Sequence, residues 1–164
     1  MNKLLAILLA VFSVSCYSGT LPAPTGKVIL TITGKIQNSQ SNEIVEFDLE
    51  QLKQLRSDTF TLQTRWDDSA HEYHGPLLSA VLEHVGAQGS SISLTALNDY
   101  AIDLDAAYIN KYQPILAWQT DGKTMSIRDK GPLWLLLPHD KYPELNAEIH
   151  TGRMIWQLTH IEIK

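Results

Sequence analysis

The run PLWLLLP, residues 132–138, is the feature that most constrains how this chain can fold. Five consecutive apolar residues, Leu133 to Leu137, stand between two prolines. A run of that length suits a strand better than a helix, and its continuous apolar character predicts a strand buried on both faces. The chain has 164 residues, enough for one domain with a core able to enclose such a strand.

Most other patterned segments also predict strands. KVILTITGKI (27–36) is rich in β-branched residues, with Gly34 at a bend or bulge. SISLTAL (91–97), YAIDL (100–104) and RMIWQLTHIEIK (153–164) are similar. In PILAWQTDGKTM (114–125), Asp121-Gly122 supplies the positive φ of a tight hairpin turn. FTLQTRW (60–66) alternates, which places Phe60, Leu62, Thr64 and Trp66 on one face.

Two segments predict helices. FDLEQLKQL (47–55) begins with Asp48 as a cap and Gln51 at the capping-box position. EYHGPLLSAVLEHVGA (72–87) is the clearest helix pattern, with Pro76 in its first turn and Gly86 at its end. One good helix and one short one among many strands predict an α+β fold, with mixed strands in sheets and a few short helices.

The first residues are typical of a secretory signal, which we assign to residues 1–18. Lys3 precedes an apolar run that is too short to span a bilayer. We expect a flexible tether at 19–26 and the folded domain at 27–164, in the periplasm. Cleavage after Ser18 would give a soluble protein. Lipid anchoring at Cys16 is the less favoured alternative, because Ser13 stands where a lipoprotein signal usually has Leu.

Composition removes several classes of function. The net charge is −5 and no basic run is present, which argues against a nucleic-acid partner. Cys16 is the only cysteine, so the mature chain has neither a disulfide nor a cysteine nucleophile. The pair His71 and His74 precedes Gly75-Pro76 in a strand or turn, where two histidines favour an edge rather than a metal site. No local Ser/His/Asp pattern or nucleophile elbow is visible.

Two stretches allow both a structural and a ligand-binding interpretation. In ALNDYAI (96–102), Asp99 and Tyr100 form either a simple turn or a carboxylate and ring for the polar edge of a flat ligand. In IRDKGPLWLLLP (127–138), Arg128 and Lys130 either keep the next strand soluble or meet ligand oxygens, with Gly131 allowing close approach. Cations also accompany Trp66 and Trp156, at Arg65 and Arg153, which fits a flat aromatic ligand.

Taken in order, the segments resemble a known family. FDLEQLKQL, TLQTRW, YHGPLLSAVLEHVGA, ALNDYAIDL, the hairpin through GPLWLLLP, and WQLTHIEI follow the order of motifs in the oxidoreductase molybdopterin-binding domain, the fold of the sulfite oxidase family. The resemblance covers roughly residues 27–164. It implies a sulfite oxidase-type fold and a pterin or molybdopterin ligand.

One departure from the family pattern shapes the functional expectation. The family holds molybdenum through a Cys just beyond the strand that here reads TRWDD, and this chain has no Cys there. The chain is most similar to small exported pterin-binding members of the superfamily. That resemblance implies a non-catalytic pterin carrier that docks on the periplasmic domain of a membrane-bound cyclic-di-GMP synthase or phosphodiesterase. The expected ligand-binding residues are Trp66, Asp99, Tyr100, Arg128, Lys130, Gly131, Arg153 and Trp156.

An enzyme remains the alternative. The usual activity of the superfamily is molybdopterin-dependent oxidation, and Ser, Asp67 or Asp68 could replace the missing Cys as the metal ligand. In this alternative the bound group is the molybdenum cofactor rather than a free pterin.

Overall fold

A computed structural model describes residues 21–164 of the chain. The predicted signal and Cys16 lie outside the described residues, as does the start of the predicted tether. Residues 21–26 form no helix or strand, but the amides of Thr25 and Gly26 donate to Asp48 Oδ2 at 2.9 and 2.8 Å. No helix within the described part is long and apolar enough to cross a membrane.

Strands dominate the described part, in agreement with the α+β fold class predicted from sequence. The strands are β1 Val28–Gly34, β2 Ile44–Asp48, β3 Ser57–Leu62, β4 His71–Pro76, β5 Ser91–Ala96, β6 Ala101–Asp105, β7 Ile115–Ala117, β8 Gln119–Thr120, β9 Lys123–Thr124, β10 Trp134–Leu136 and β11 Leu158–Ile163. The helices are α1 Leu49–Lys53, α2 Leu78–His84, α3 Ala106–Tyr112 and α4 Glu148–Thr151. Short 3-10 turns occupy Ile127–Asp129 and Pro143–Asn146.

The strands form three sheets. A five-stranded sheet has the order β2-β1-β11-β5-β6, and a four-stranded sheet has the order β3-β4-β8-β9. The remaining pair, β10-β7, is antiparallel. In the first sheet β1 and β11 run parallel, with Thr31 opposite His160, so the beginning and the end of the domain are joined directly. All other strand pairs are antiparallel.

Two apolar cores lie on either side of the β10-β7 pair. One core includes Leu133 and Leu135, and the other includes Trp134, Leu136 and Leu137. Each of these five side chains is at most 1% exposed. Successive residues of a strand point to opposite faces, so the apolar run contributes to both cores. The prediction of a strand buried on both faces is confirmed.

The prediction for residues 72–87 is only partly correct. Pro76 is the last residue of β4, where it stands opposite Ser57, and α2 begins at Leu78. Residues 71–76 pair with β3 along its whole length, so they form a strand and the helix begins only after them. The helix does end as predicted, since Gly86 follows its C-cap with φ +63°. Helices α3 and α4 come from segments without a recognised helix pattern, and with them the structure has the few short helices that the fold class predicts.

The two local turn and cap predictions are confirmed. Asp121 and Gly122 have φ of 47° and 75° between β8 and β9, as a tight primed turn requires. Asp48 Oδ1 accepts from Gln51 N at 2.9 Å, and Gln51 Oε1 accepts from Asp48 N at 3.1 Å, which completes a capping box. Since Asp48 also binds residues 25 and 26, one carboxylate joins the N-terminal segment to β2 and α1.

Replacing Asp48 by Ala should lower the free energy of unfolding, because three backbone amides lose their acceptor. The hydrogen bonds from Gln51, Gly26 and Thr25 hold the pKa of the Asp48 carboxyl below its usual range. The stabilisation is therefore complete above pH of about 4 and is lost as the pH falls through the lowered folded-state pKa. Urea unfolding at pH 7 and at decreasing pH measures this difference.

Asp105→Ala is the matched control for this prediction. Asp105 also occupies an N-cap, that of α3, but its side chain makes no capping hydrogen bond and is exposed. We expect the control to change the urea midpoint far less than Asp48→Ala. Equal effects of the two variants would show that the capping box does not stabilise the fold.

Candidate functional site

Three of the four tryptophans meet at one end of the second core. Trp66 lies edge-on to Trp134 with ring centroids 5.9 Å apart, and edge-on to Trp156 at 5.0 Å with an interplanar angle of 87°. Trp134 is fully buried, and its indole Nε1 donates to the carbonyl oxygen of Met154 at 3.2 Å. The fixed ring of Trp134 therefore packs against Trp66 from the protein interior, and Trp156 packs against Trp66 at the surface.

Trp66 and Trp156 open onto a cavity of about 350 Å³, which we call the aromatic cleft. Tyr100 also lines it, so three of the aromatic residues predicted from sequence share one cavity. Its polar groups come from Asn98, Arg65 and Thr151. Flat rings with a few polar groups are the usual composition of a small-molecule site, and the volume lies in the usual range.

Arg65 separates the aromatic cleft from a second space. Its guanidinium lies 4.9 Å from the centre of the Trp66 ring, and Nη1 donates to Thr151 Oγ1 at 3.4 Å. Arg65, Thr151 and Met154 also line a neighbouring cavity of about 560 Å³, which we call the polar cavity. The two cavities are therefore adjacent and share these three side chains.

Amides, two hydroxyls and titratable groups surround the polar cavity. Burial lowers the pKa of His139, so its imidazole is neutral at pH 7. Within residues 21–164, His139 Nδ1 is buried and has no hydrogen-bond partner. The remaining polar lining is Gln63, Thr64, Arg65, Asp67, Asn146, Glu148 and Thr151.

Asp67 binds together the segments on which the site is built. Its Oδ2 accepts from the hydroxyls of Thr64 and Tyr73, and its Oδ1 accepts from Lys130 Nζ at 2.9 Å. Burial would raise the pKa of Asp67, but hydrogen bonds from Lys130, Thr64 and Tyr73 and the charge of Lys130 lower it overall. Burial and the bond to Asp67 raise the pKa of Tyr73. The Asp67 carboxylate is therefore ionised, and it accepts hydrogen bonds from three side chains.

Arg128 and Lys130 line a different cavity from the aromatic cleft. That third cavity, of about 480 Å³, lies between the 3-10 turn at 127–129 and the β8-β9 hairpin. Lys130 Nζ is bound to Asp67 and lies 4.3 Å from the centre of the Trp134 ring, so it supports the tryptophan cluster. The structure therefore separates these two cations from Trp66, Tyr100 and Trp156.

The packing of the chain itself requires a glycine at position 131. A Cβ at this position would collide with the backbone oxygens of Met125 and Ser126. The amide of Gly131 also donates to the Ser126 carbonyl oxygen at 2.8 Å. The close approach expected for a ligand is thus an approach of two backbone segments, and it fixes the turn before β10.

Arg153, which the sequence predicts as a ligand contact, lies away from the aromatic cleft. Its guanidinium is 4.6 Å from the centre of the Tyr108 ring, and Tyr108 OH is within 2.9 Å of His150 Nδ1. Arg153 lines neither the aromatic cleft nor the polar cavity. Its neighbour in sequence, Gly152, lines the cleft instead.

Asn98 occupies the position in the aromatic cleft that the sequence predicts for Asp99. Asp99 is exposed with φ +64°, and its amide donates to the Ala96 carbonyl oxygen at 3.1 Å. Asn98 lines the aromatic cleft, while Asp99 does not. The turn interpretation of this stretch therefore describes the backbone, and the ring of Tyr100 reaches the cleft from the same turn.

The two histidines of HEYH bind different partners along β4. His71 Nδ1 lies 2.6 Å from Asp121 Oδ2, and His74 Nδ1 lies 2.9 Å from Thr59 Oγ1. Ser69 Oγ lies 3.4 Å from His71 Nε2, beyond the 2.6–3.2 Å expected of a working nucleophile and base. Across residues 21–164, no group of three or more His, Cys, Asp or Glu side chains is placed to hold a metal ion.

Several residues of the site carried no signal in the sequence analysis. Thr151 and Asn146 come from the region around α4, which was not predicted, and Gln63 and His139 lie just beyond strand ends. Arg65 and Asp67 do have a sequence signal, Arg65 as the cation that precedes Trp66 and Asp67 as the alternative metal ligand. The polar cavity follows from tertiary packing alone.

Comparison with known proteins supports the fold and gives no closer assignment. No family model and no curated protein matches the chain. Among solved structures, the sulfane dehydrogenase SoxCD from Paracoccus pantotrophus is similar with a TM-score of 0.60 and 16% sequence identity. The match covers 82% of this chain but only 37% of the SoxCD chain. The two proteins share a fold, in accord with the fold predicted from the order of motifs.

Replacing Asp67 by Ala should lower the free energy of unfolding by about 2–3 kcal/mol, because Lys130, Thr64 and Tyr73 all lose their acceptor. The Asp67 and Lys130 side chains are only 12% and 28% exposed, so solvent screens the pair weakly. Because the folded-state pKa of Asp67 is lowered, the difference from wild type should shrink as the pH falls below about 4. Urea unfolding monitored by tryptophan fluorescence measures it.

Asp58→Ala provides the comparison, since it removes an exposed carboxylate paired with Lys141 at 3.4 Å. We expect this control to cost less than about 1 kcal/mol. If Asp67→Ala costs no more than the control, then Asp67 does not hold the site together.

Proposed function

We propose that this chain is a pterin-binding protein without catalytic activity, and that the pterin ring lies in the aromatic cleft. The observation that carries the proposal is the meeting of Trp66, Tyr100 and Trp156 around one cavity of about 350 Å³. A pterin is a flat bicyclic ring with hydrogen-bonding groups along its edges. The perpendicular arrangement of Trp66 and Trp156 lets such a ring stack on one indole and meet the edge of the other.

The polar groups of the cleft match the edges of a pterin. The Asn98 amide can donate and accept at once, as the alternating amide and amidine groups of the ring require. Arg65 offers donors to ring oxygen and nitrogen atoms, and Thr151 offers a hydroxyl. We therefore propose that Asn98, rather than Asp99, recognises the polar edge of the ring.

The adjoining polar cavity suits a neutral, hydrogen-bonding substituent on the ring. Asp67 is paired with Lys130, so the charges left at the cavity are those of Glu148 and Arg65, beside the neutral imidazole of His139. A phosphate placed there would find no surplus of positive charge. Hydroxyl groups would find amide and carboxylate partners in Gln63, Asn146 and Glu148.

The residues present do not fit a molybdenum cofactor of the kind found in the sulfite oxidase family. That cofactor needs a thiolate ligand and cations for its phosphate, and Cys16 is the only cysteine of the chain. Asp67, the alternative ligand near the same strand, already accepts from three donors. Asp68 is exposed in the loop before β4. The structural similarity to a dehydrogenase is what keeps an oxidoreductase as the second candidate function.

We further propose that the chain acts in the periplasm, where its pterin-loaded form regulates a membrane-bound cyclic-di-GMP synthase or phosphodiesterase. Support for this role comes from the resemblance to small exported pterin-binding proteins and from the apolar N-terminal run. A binding protein without its own chemistry needs a partner to act on, which is consistent with such a role.

One purification tests the two candidate functions together. The protein isolated from cells that make both ligands should carry a fluorescent, metal-free pterin in a near one-to-one ratio. Fluorescence of the released ligand and elemental analysis for molybdenum measure the two outcomes. Near-stoichiometric molybdenum would favour the oxidoreductase and contradict our proposal.

Substitutions in the cleft test the location of the ring. Trp156→Ala should weaken pterin binding about tenfold or more, since loss of one aromatic contact and its buried area costs about 1.4 kcal/mol or more. Tyr142→Ala is the matched control, because Tyr142 packs against Tyr112 and lines none of the three cavities. Fluorescence titration with a soluble pterin measures both variants.

Asn98→Ala and Asp99→Ala separate the two assignments for the polar edge. We expect Asn98→Ala to reduce pterin affinity and Asp99→Ala to leave it close to that of the wild type, because only Asn98 lines the cleft. The reverse result would restore the assignment made from sequence and would mean that the turn at 98–100 reorganises when the ligand binds.

A further inference from the structure

His139 is one of two residues in the described part of the chain that bury a side-chain polar atom without a hydrogen-bond partner. The other is Trp118, which lines none of the three cavities. His139 lines the polar cavity. Buried polar atoms in proteins are nearly always bonded, so an exception beside a cavity calls for an explanation.

The two ring nitrogens of His139 differ in accessibility. Nδ1 is buried, whereas the residue as a whole is half-buried and lines the polar cavity. Nε2 is therefore the nitrogen that a ligand in this cavity can reach. The backbone fixes the position of the ring, because the His139 amide donates to the Leu137 carbonyl oxygen at 2.9 Å, directly after the buried apolar run.

The same difference determines which nitrogen of His139 carries the proton. A neutral imidazole has one N–H, on either Nδ1 or Nε2. A buried N–H without an acceptor is among the rarest arrangements in proteins, so the proton belongs on Nε2. A second proton would create that buried N–H, in accord with the effect of burial, which lowers the pKa of His139 against the charge of Asp140. His139 thus offers the polar cavity a neutral donor.

The rest of the polar cavity offers mainly acceptors. Gln63 Nε2 donates to a backbone carbonyl oxygen at 3.1 Å, and Asn146 Nδ2 donates to another at 3.2 Å, which leaves the two amide oxygens to the cavity. Within residues 21–164, the carboxylate of Glu148 forms no ion pair. Arg65 and His139 then supply the donors among the lining side chains.

We propose that His139 determines which ring substituent the site prefers, by donating a hydrogen bond from Nε2 to a hydroxyl oxygen of that substituent. The inference rests on the proposed function, since the substituent enters the polar cavity from a ring held in the adjoining cleft. A hydroxyl group suits the cavity because it accepts from His139 and donates to Asn146 or Glu148. His139 takes no part in holding the ring itself, because it does not line the aromatic cleft.

Fluorescence titration with two ligands tests the preference. The probes are unsubstituted pterin and biopterin, whose substituent carries hydroxyl groups. We expect the wild type to bind biopterin at least tenfold more tightly than pterin. His139→Phe keeps a flat ring and removes both nitrogens, so it should weaken biopterin binding about fivefold or more and leave pterin binding unchanged. Wild-type preference in His139→Phe would overturn the proposal.

Two amide variants identify the nitrogen that makes the contact. The amide nitrogen of a glutamine can occupy the place of Nε2, whereas that of an asparagine lies nearer to Nδ1. His139→Gln should therefore keep most of the preference for biopterin, and His139→Asn should lose it. Equal results for the two variants, or the opposite order, would overturn the assignment. His84→Phe is the control, because His84 is exposed and lines neither cavity, and it should change neither affinity.

Nuclear magnetic resonance of the nitrogen-15-labelled protein tests the tautomer and the contact directly. Two-bond proton–nitrogen spectra should show His139 with its proton on Nε2 before any ligand is added. Biopterin should shift the Nε2 resonance, and pterin should not. A proton on Nδ1, or an Nε2 resonance that biopterin leaves in place, would contradict the proposal.

The two ligands also separate this inference from the proposed function. If the wild type binds neither pterin nor biopterin, the proposed function fails and this inference fails with it. If the wild type binds both equally, or if His139→Phe weakens both alike, this inference fails and the proposed function stands.

Discussion

The ion pair between Asp67 and Lys130 is the interaction on which the rest of the site depends. It joins the loop between β3 and β4 to the turn before β10, two segments far apart in the chain. Two further hydroxyl donors complete the coordination of the carboxylate, so its charge is stabilised away from bulk water. Lys130 then lies against Trp134, and Trp134 supports Trp66. The position of the cleft's central ring thus follows from one partly buried ion pair.

The apolar run from 133 to 137, with β10 at its centre, provides the frame for that arrangement. Its side chains are divided between two cores, so any movement of the run would disturb both at once. The turn at 127–130 leads into this run, and Gln157 connects that turn to the cleft, because its amide donates to the Lys130 carbonyl oxygen and its carbonyl oxygen accepts from Leu97 N. A site built on the ends of buried strands is held rigidly although its residues lie in loops.

Much of the local structure could be predicted because local patterns determine it. The capping box of Asp48, the Asp121-Gly122 turn and the buried apolar run each depend on neighbouring residues, and the structure has all three. At Pro76 a distant contact overrides the local pattern. Pro76 fits the first turn of a helix, but it pairs with β3 and is therefore part of a strand. The α4 region had no periodic signal, and it supplies Thr151 and Gly152 to the cleft.

By itself, the sequence determined the strand-rich class, the strand buried on both faces, the missing thiolate, and the three rings Trp66, Tyr100 and Trp156 as candidate ligand contacts. Only the tertiary structure decided that these rings share a cavity while Arg128 and Lys130 line another and Arg153 faces Tyr108. The reason is physical. Propensity and periodicity act over a few residues, whereas the sheet pairs Thr31 with His160 and the direction of each side chain follows from such distant contacts.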